Sequence, residues 1–475
     1  MTSSSTEAGG TLAIRARVLT YHAHPLSAGE GGSHRYIEDG LVIVRDGLIE
    51  AVGEAHALLP DLAVDLTVAD YRPFLLTAGF IDPHLHLPQT QVIGSYGTEL
   101  MEWLARYTFP EETRYGDPAV ADAASRFLLH ELLRNGTTTA VAFCTSHPQS
   151  VESFFTESQR MGLRMVAGKV MMDRHAPEAL LDTPRRGYDE SKDLIARWHG
   201  NGRLAYAISP RFAPTSSEAQ LEATQALAAE YPAMHIQTHL SENAGEIAFV
   251  AELFPWSKDY THVYERYGLV RRKALFGHCI HLSERERGAL AEAGATAVFC
   301  PTSNLFLGSG LFDRDAALKA GLRTGIATDI GGGTSYSMLT TAAEGYKVLA
   351  LRQQALPGHA AFYMMTAGNA EAIGYGDRIG QVAPRFEADF VVLDTHATPA
   401  LRQRMERVET LEEELFVLMT MGDDRCVVST YASGRKVHAR GMGGIDLPSP
   451  AHAPTSVGGD FTGASAPEVE SVQAA

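Results

Sequence analysis

The sequence predicts an α/β protein: a (β/α)8 TIM-like barrel with a small β-sandwich domain formed from N- and C-terminal segments. Three observations lead there. The middle of the chain alternates short apolar runs with amphipathic helical stretches, as parallel β-α-β units do. Eight such runs fall within about 300 residues, enough for one barrel. Both ends of the chain read instead as short strands with turns, which predicts one small domain built from the two termini.

The N-terminal part, residues 11–76, holds the clearest hairpin. Leu41-Val42-Ile43-Val44 and Leu48-Ile49-Glu50-Ala51-Val52-Gly53 flank an Asp46-Gly47 turn. Barrel strands are expected at 76–83, 138–143, 164–170, 204–209, 235–239, 274–278, 297–300 and 325–329. Helices are expected between several of them, for example at 119–135, 218–230 and 283–293. The barrel domain is set at 77–383. The C-terminal part of the β domain follows at 384–440. Its β-branched runs are Ala388-Asp389-Phe390-Val391-Val392-Leu393-Asp394 and Cys426-Val427-Val428-Ser429-Thr430-Tyr431, with a turn at Ser433-Gly434. From 441 to 475 the chain is rich in Gly, Pro, Ser and Ala and reads as a flexible tail.

Composition excludes several classes of function. Asp and Glu number 57 against 40 Lys and Arg, a net charge of −17, so the positive footprint of a nucleic-acid or anionic-membrane surface is missing. The four cysteines, Cys144, Cys279, Cys300 and Cys426, are scattered without a C-x-x-C pair, which argues against a disulfide framework and a zinc knuckle. The N-terminal residues carry no signal-peptide pattern and no window approaches a membrane span, so a cytoplasmic enzyme is expected.

The chemically informative residues fall at the ends of the expected strands. His84 and His86 are two apart, so both face one side of a strand, and Asp82 precedes them in Gly79-Phe80-Ile81-Asp82-Pro83-His84-Leu85-His86. His239, His278 and Asp329 each end a later strand. Singly, each reads as a satisfied core residue or a cap. Together, four His and one Asp at C-terminal strand ends converge on the barrel mouth, where active sites lie. Three His and a carboxylate suit zinc. A metal there lowers the pKa of its water towards 7. Glu242, three residues past His239, is placed to deliver a proton; the alternative is a helix-start carboxylate.

These residues resemble the amidohydrolase superfamily over about 40–440. A narrower set of strings resembles its guanine deaminase branch. They are Pro88-Gln89; Leu100-Met101-Glu102-Trp103-Leu104-Ala105-Arg106-Tyr107-Thr108-Phe109-Pro110-Glu111; Asn135-Gly136-Thr137-Thr138-Thr139; Gly168-Lys169-Val170-Met171-Met172-Asp173; Pro210-Arg211-Phe212; His239-Leu240-Ser241-Glu242-Asn243; Cys300-Pro301-Thr302-Ser303-Asn304; and the stretch from Thr328 to Met338. The resemblance implies that His84, His86, His239 and Asp329 hold one zinc per subunit, with iron(II) as the other candidate. His278 is implied beside the metal, as a further possible ligand that also contacts the reacting centre. Glu242 shuttles a proton to a purine ring nitrogen. Gln89, Arg211 and the Phe212 backbone recognise the base, and His86, His239, Glu242 and Asp329 also face it. The implied reaction is hydrolysis of guanine at C2 to xanthine and ammonia, with Asp329 passing the water's proton to the leaving amine. A homodimer is implied as well.

The residue chemistry agrees with these roles. Arg211 is a forked donor for O6 or N7, and Gln89 offers a donor and an acceptor. Trp103, Tyr107 and Phe212 can cover the flat faces of a base; Trp103 and Tyr107, four apart, read equally well as a helix face packed on the barrel. Lys169 suggests the carbamylated, two-metal site of lactam-hydrolysing relatives, but it falls on the third strand rather than the fourth, which favours one metal. Pro384-Arg385-Phe386-Glu387 replaces the family's usual Gly-Lys before Ala388-Asp389, which puts a turn of the small domain in question. Two other readings remain open here: a sister enzyme deaminating 8-oxoguanine, cytosine or a triazine, and a non-catalytic protein on the same scaffold.

Overall fold

The structure, a computed structural model, describes residues 10–28, 32–63, 66–97 and 99–442; the tail at 443–475 lies outside the described residues. The chain opens with four strands: β1 (Thr11–Tyr21), β2 (His34–Arg45), β3 (Leu48–Glu54) and β4 (Val68–Ala78). There follow β5 (Phe80–His86), β6 (Thr137–Phe143), β7 (Arg164–Gly168), the two-residue β8 (Val170–Met171), β9 (Ala205–Pro210), β10 (His235–Leu240), β11 (Ala274–His278), β12 (Thr296–Phe299) and β13 (Arg323–Ile326). Last come β14 (Phe390–Leu393), β15 (Val427–Ala432) and β16 (Arg435–Ala439).

β5, β6, β7, β9, β10, β11, β12 and β13 form one parallel sheet in sequence order, with β8 paired to β9. The two edges meet. The Asp329 amide donates to the His84 carbonyl at 3.0 Å and the His86 amide to the Ile330 carbonyl at 2.6 Å. This is a (β/α)8 barrel. Its helices begin at the residues their chemistry selects. Pro118–Arg134 starts behind the Asp117 cap, and Glu218–Glu230 behind Ser217. Glu284–Glu292 opens with a Ser283/Glu286 capping box. Inside the barrel, Ile81, Val141, Val166, Ala207, Leu275 and Val298 fill the lower layers, and Ala370, Ile373 and Ile379 close the floor. Only the mouth at the C-terminal strand ends is left for chemistry.

The remaining seven strands form one sheet in the order β16-β15-β14-β4-β1-β2-β3. Strands from both ends of the chain meet where β14 pairs antiparallel with β4, Phe390 opposite Ala78. The small domain is thus built from both termini, and its strands close over one shared core in which Val18, Val44, Ile49, Leu76, Phe390 and Tyr431 pack together. Two expectations change. The run at 76–83 is not one strand: Leu76 and Ala78 belong to β4, and the first barrel strand starts at Phe80. The break is Gly79, where a Cβ would lie 2.2 Å from Thr138 Oγ1, so the crossing admits no side chain. The segment 384–440 also contains two helices, Pro399–Met405 and Leu411–Met421, the second opened by a Thr410/Glu413 capping box. Arg17 of β1 pairs with Glu414 of that helix.

The Pro384–Glu387 departure is accommodated. Arg385 takes the turn position at φ +75°, where glycine is favoured. The Ile49 amide donates to the Phe386 carbonyl at 2.8 Å. Glu387 is drawn into a network beneath the barrel, accepting from Arg164 Nε and Arg203 Nε, each at 2.8 Å, while Arg203 Nη1 donates to Asp389 Oδ1 at 3.0 Å.

Candidate active site

Strand alternation puts Asp82, His84 and His86 of β5 on the interior. Asp82 lies deepest. Its carboxylate accepts the Thr328 hydroxyl, the Thr328 amide (3.2 Å) and the His84 amide (3.3 Å), so it joins the first and last strands of the barrel. Burial pushes its pKa up to about 7. Above it, His84 Nε2 is 3.2 Å and His86 Nε2 3.4 Å from Asp329 Oδ1. His84 crosses the face of β11 at Gly277, where a Cβ would fall 2.7 Å from the imidazole Cε1. Phe143 stacks on His86 with ring centroids 4.8 Å apart.

The tautomers follow from the partners. His239 Nδ1 donates to the Arg211 carbonyl at 2.7 Å, and His278 Nδ1 to Asn304 Oδ1 at 2.9 Å. Each ring thus turns a lone pair at Nε2 into the mouth. His239 Nε2 faces His86 Nε2 at 3.1 Å, while His278 Nε2 lies 3.3 Å from Glu242 Oε2 and 3.7 Å from Asp329 Oδ2. Burial holds His86 down to about 3, and burial with its three histidine neighbours holds His239 well below the usual range, so both rings are neutral. Asp329 stays a carboxylate: burial raises its pKa, but the His84 and His86 imidazoles beside it outweigh that and hold it well below the ordinary value.

This donor set fits a metal. His84 Nε2, fully buried, is close to Asp329 but makes no aligned hydrogen bond. Two neutral imidazoles face each other nitrogen to nitrogen. Ligand atoms of His84, His86 and His239 lie within 4.8 Å of one another, as do those of His84, His278, Asp329 and Cys300. Three imidazole nitrogens and a carboxylate are the ligands zinc takes in catalytic sites. Cys300, unforeseen from the sequence, is a poor ligand, because burial drives its thiol pKa well above the ordinary value and Sγ donates to the Val298 carbonyl at 3.5 Å. The strand ends are also where the backbone is strained: Ser241, His278, Cys279 and Asp329 sit at φ +50°, +68°, +53° and +51°. Such conformations cost roughly 1–3 kcal/mol each and gather at functional sites.

A small cavity opens beside this cluster, with about 360 Å³ of empty space counted out through its open mouth. Glu242, Gln89, Arg211 and Phe212 line it together with His86, His239, His278 and Asp329. Glu242 is 3 % exposed; Ser309 donates to its Oε1 at 3.3 Å, and burial together with the Asp329 charge raises its pKa to about 8. Pro88 bends the chain after β5 into a short 3₁₀ turn, Leu87–Gln89, that delivers Gln89 to the mouth. There Gln89 Oε1 accepts the Gly331 amide at 3.1 Å, which orients the side chain; the oxygen keeps a second lone pair and the NH₂ remains a donor. The Phe212 carbonyl is engaged by Thr215 and Ser216 within its turn.

Of the aromatic residues expected to cover a flat base, Trp103 and Phe212 line the cavity and Tyr107 does not; Leu100, Leu104 and Leu307, which also line it, carried no signal in the sequence. The chain winds into a π turn at Leu104–Thr108, so positions 103 and 107 no longer share a face. Trp103 is fixed by donating Nε1 to the Ser95 carbonyl at 3.1 Å. Tyr107 packs behind it under Arg106. The partner of Arg211 was missed as well: Nη1 donates to both carboxylate oxygens of Glu112, at 2.7 and 2.8 Å. Lys169 belongs neither to the His/Asp cluster nor to the residues that line the cavity. Its ammonium is buried against Asp182, with Glu190 at 3.3 Å.

The comparisons with known proteins agree with this geometry. The amidohydrolase family pattern matches residues 75–437. Guanine deaminase of Escherichia coli (strain K12) is 48% identical over 406 residues, covering 86% of this chain and 92% of that protein. The solved structure of E. coli guanine deaminase superposes with a TM-score of 0.88 at 46% identity, covering 90% of this chain and all of that one. The structure of guanine deaminase from C. acetobutylicum with guanine bound in its active site gives 0.81 at 26% identity, over 90% of this chain and all of that one. The chain belongs to the amidohydrolase family, in the branch that contains the guanine deaminases.

Proposed function

We propose that the protein is a guanine deaminase, hydrolysing guanine to xanthine and ammonia. The observation that carries this reading is one cavity that joins a metal-fitting His/Asp cluster, a buried proton donor, two convergent hydrogen-bond donors and apolar walls suited to a flat base. Zinc held by His84, His86, His239 and Asp329, with His278 beside them, would supply Lewis acidity and lower the pKa of a water at the mouth.

The chain's own residues do the rest. Arg211 and the Gln89 NH₂ donate to the acceptor edge of guanine, and the Phe212 N–H adds a third donor. Trp103, Leu104 and Leu307 exclude water from the faces of the ring. Asp329, a carboxylate, takes the proton of the adding water and passes it to the amine at C2. Glu242, protonated near neutral pH because it is buried, delivers a proton to the ring nitrogen beside C2. The new C–O bond forms at C2 and the C–N bond breaks, releasing ammonia, and the proton left on the new oxygen returns to Glu242 as the C2 carbonyl forms. The working form is a homodimer.

The experiment is a spectroscopic deamination assay over guanine, 8-oxoguanine, cytosine, adenine and triazines, with and without chelator. Guanine should be turned over fastest, and chelation should abolish the rate. Clear activity on another base with none on guanine would overturn the assignment. Metal content and mass by light scattering settle the ion and the dimer.

A further inference from the structure

We infer that Glu112 sets the charge preference of the site: by neutralising Arg211 it makes the cavity select an uncharged base over an anionic one. This deepens the guanine deaminase reading and rests on it for the class of ligand. Arg211 is the sole Arg or Lys among the described residues that line the cavity. Its side chain is 3 % exposed and that of Glu112 is fully buried. A lone guanidinium in that position draws in any anion. Glu112 comes from the short helix Phe109–Thr113, whose Phe109 ring lies 5.3 Å under the Arg211 Cζ.

Pairing and stacking leave the other edge of the fork for the cavity. The site thus keeps Arg's directed donors and loses its net charge. The neighbouring glutamate behaves differently: Glu111 pairs at 2.7 Å with Arg114, whose side chain is half exposed, and takes no part at the cavity. Guanine is neutral at physiological pH, whereas more oxidised purines ionise. Glu112 therefore acts on discrimination through Arg211, as a positioning and charge-balancing residue.

The test is equilibrium binding of hypoxanthine, a neutral 6-oxopurine, and urate, a monoanion at neutral pH, to the metal-loaded wild type, E112Q, E112D, R211Q and E112Q/R211Q. In E112Q the affinity for urate should rise about tenfold or more relative to hypoxanthine, a difference of one charge interaction. E112D should keep the wild-type ratio. E112Q/R211Q, again without net charge at this pair, should return the ratio to the wild-type value. Equal changes for both ligands, or a double variant whose ratio does not return to wild type, would overturn the proposal. Should E112Q fail to fold, R211Q reads the pair from the other side: a carboxylate without its cation must shift the ratio against urate, and an unchanged ratio refutes the role. Binding is read apart from turnover. A wild type inactive on guanine whose ratio responds as described thus refutes the activity and leaves this inference standing.

Discussion

Glu242→Gln isolates the proposed proton donor. Gln has the same shape, and the side chain it replaces is 3 % exposed, so no cavity opens. The Ser309 hydroxyl keeps an acceptor at 3.3 Å. The change also removes a carboxyl whose ionisation burial and Asp329 already oppose, so folding is not weakened. What is lost is the acid. General acid catalysis contributes about 10²–10⁴-fold, or about 2.7–5.5 kcal/mol of barrier. Rescue by the next carboxyl is blocked: Glu246 accepts the Glu242 amide at 2.9 Å, the Asn243 amide at 3.2 Å and the Tyr260 hydroxyl at 2.8 Å, all away from the cavity. The loss should therefore reach the upper part of that range. Guanine turnover should fall at least about 10³-fold, within the range for a lost acid, with metal content unchanged. The sign of the pH effect follows. A pKa raised to about 8 keeps the donor protonated at neutral pH, so kcat falls as pH rises through that value; a bound divalent ion moves the limb lower. In the Gln variant the alkaline limb should vanish. A rate within about tenfold of wild type, with metal bound, would show that Glu242 is not the acid.

Chelation should abolish turnover and lower the melting temperature, because ligands that bind only the folded state stabilise it; an unchanged melt would mean that the His cluster binds no ion. Gly79→Ala should depress soluble yield or melting temperature, since its Cβ would meet Thr138 Oγ1 at 2.2 Å where β4 hands over to β5; an unaltered melt would show that this crossing relaxes freely. Glu387→Ala strips a partner from Arg164 and Arg203, whose side chains are 7 % and 15 % exposed. Breaking buried pairs costs about 3 kcal/mol at the low end, and the residual exposure here keeps it there. Burial raises the Glu387 pKa, but the two arginines win and hold it low, so the stabilisation is present at neutral pH and lost as pH falls through and below the ordinary carboxylate range. Chemical denaturation at pH 7 and pH 4 reads both effects; a loss under about 1 kcal/mol at pH 7 would show that the network adds no more than surface pairs do.

What was legible in the sequence was whatever repeats with a period or ends a strand. Seven of the eight barrel strands stand within a few residues of the apolar runs that announced them, because a parallel strand buried on both faces must be continuously apolar. The residues of the His/Asp cluster were legible for the same reason: each sits where such a run stops. What was not legible depends on partners distant in the chain. Glu112 and Arg211 are 99 residues apart, and nothing local distinguishes Glu112 from Glu111. The orientation of Gln89 is decided by the Gly331 amide, 242 residues on. The π turn at Leu104–Thr108 rotated Tyr107 out of the site, and helical periodicity alone does not foresee it. Leu307 reaches the cavity from a loop with no pattern of its own. The helix at Leu411–Met421 is a different case: its Thr410-x-x-Glu413 cap was present in the sequence, and the surrounding β-rich runs overshadowed it.

Arg211 shows how far the two halves of the site are separable. Its side chain lines the cavity, while its backbone carbonyl accepts His239 Nδ1 at 2.7 Å, the His239 amide at 3.2 Å and the Thr238 hydroxyl at 3.2 Å. One residue thus orients an imidazole of the His/Asp cluster through atoms that every amino acid possesses, and presents to the cavity atoms that only arginine has. Substituting the side chain removes the second role and leaves the first. Arg211→Gln should therefore raise KM for guanine by one to two orders of magnitude, about 1.4–2.8 kcal/mol of lost binding, while metal stoichiometry stays at the wild-type value. Loss of metal together with loss of binding would mean that the Glu112–Arg211 pair, not the backbone, holds the end of β9 in place, and the division of labour argued here would fail.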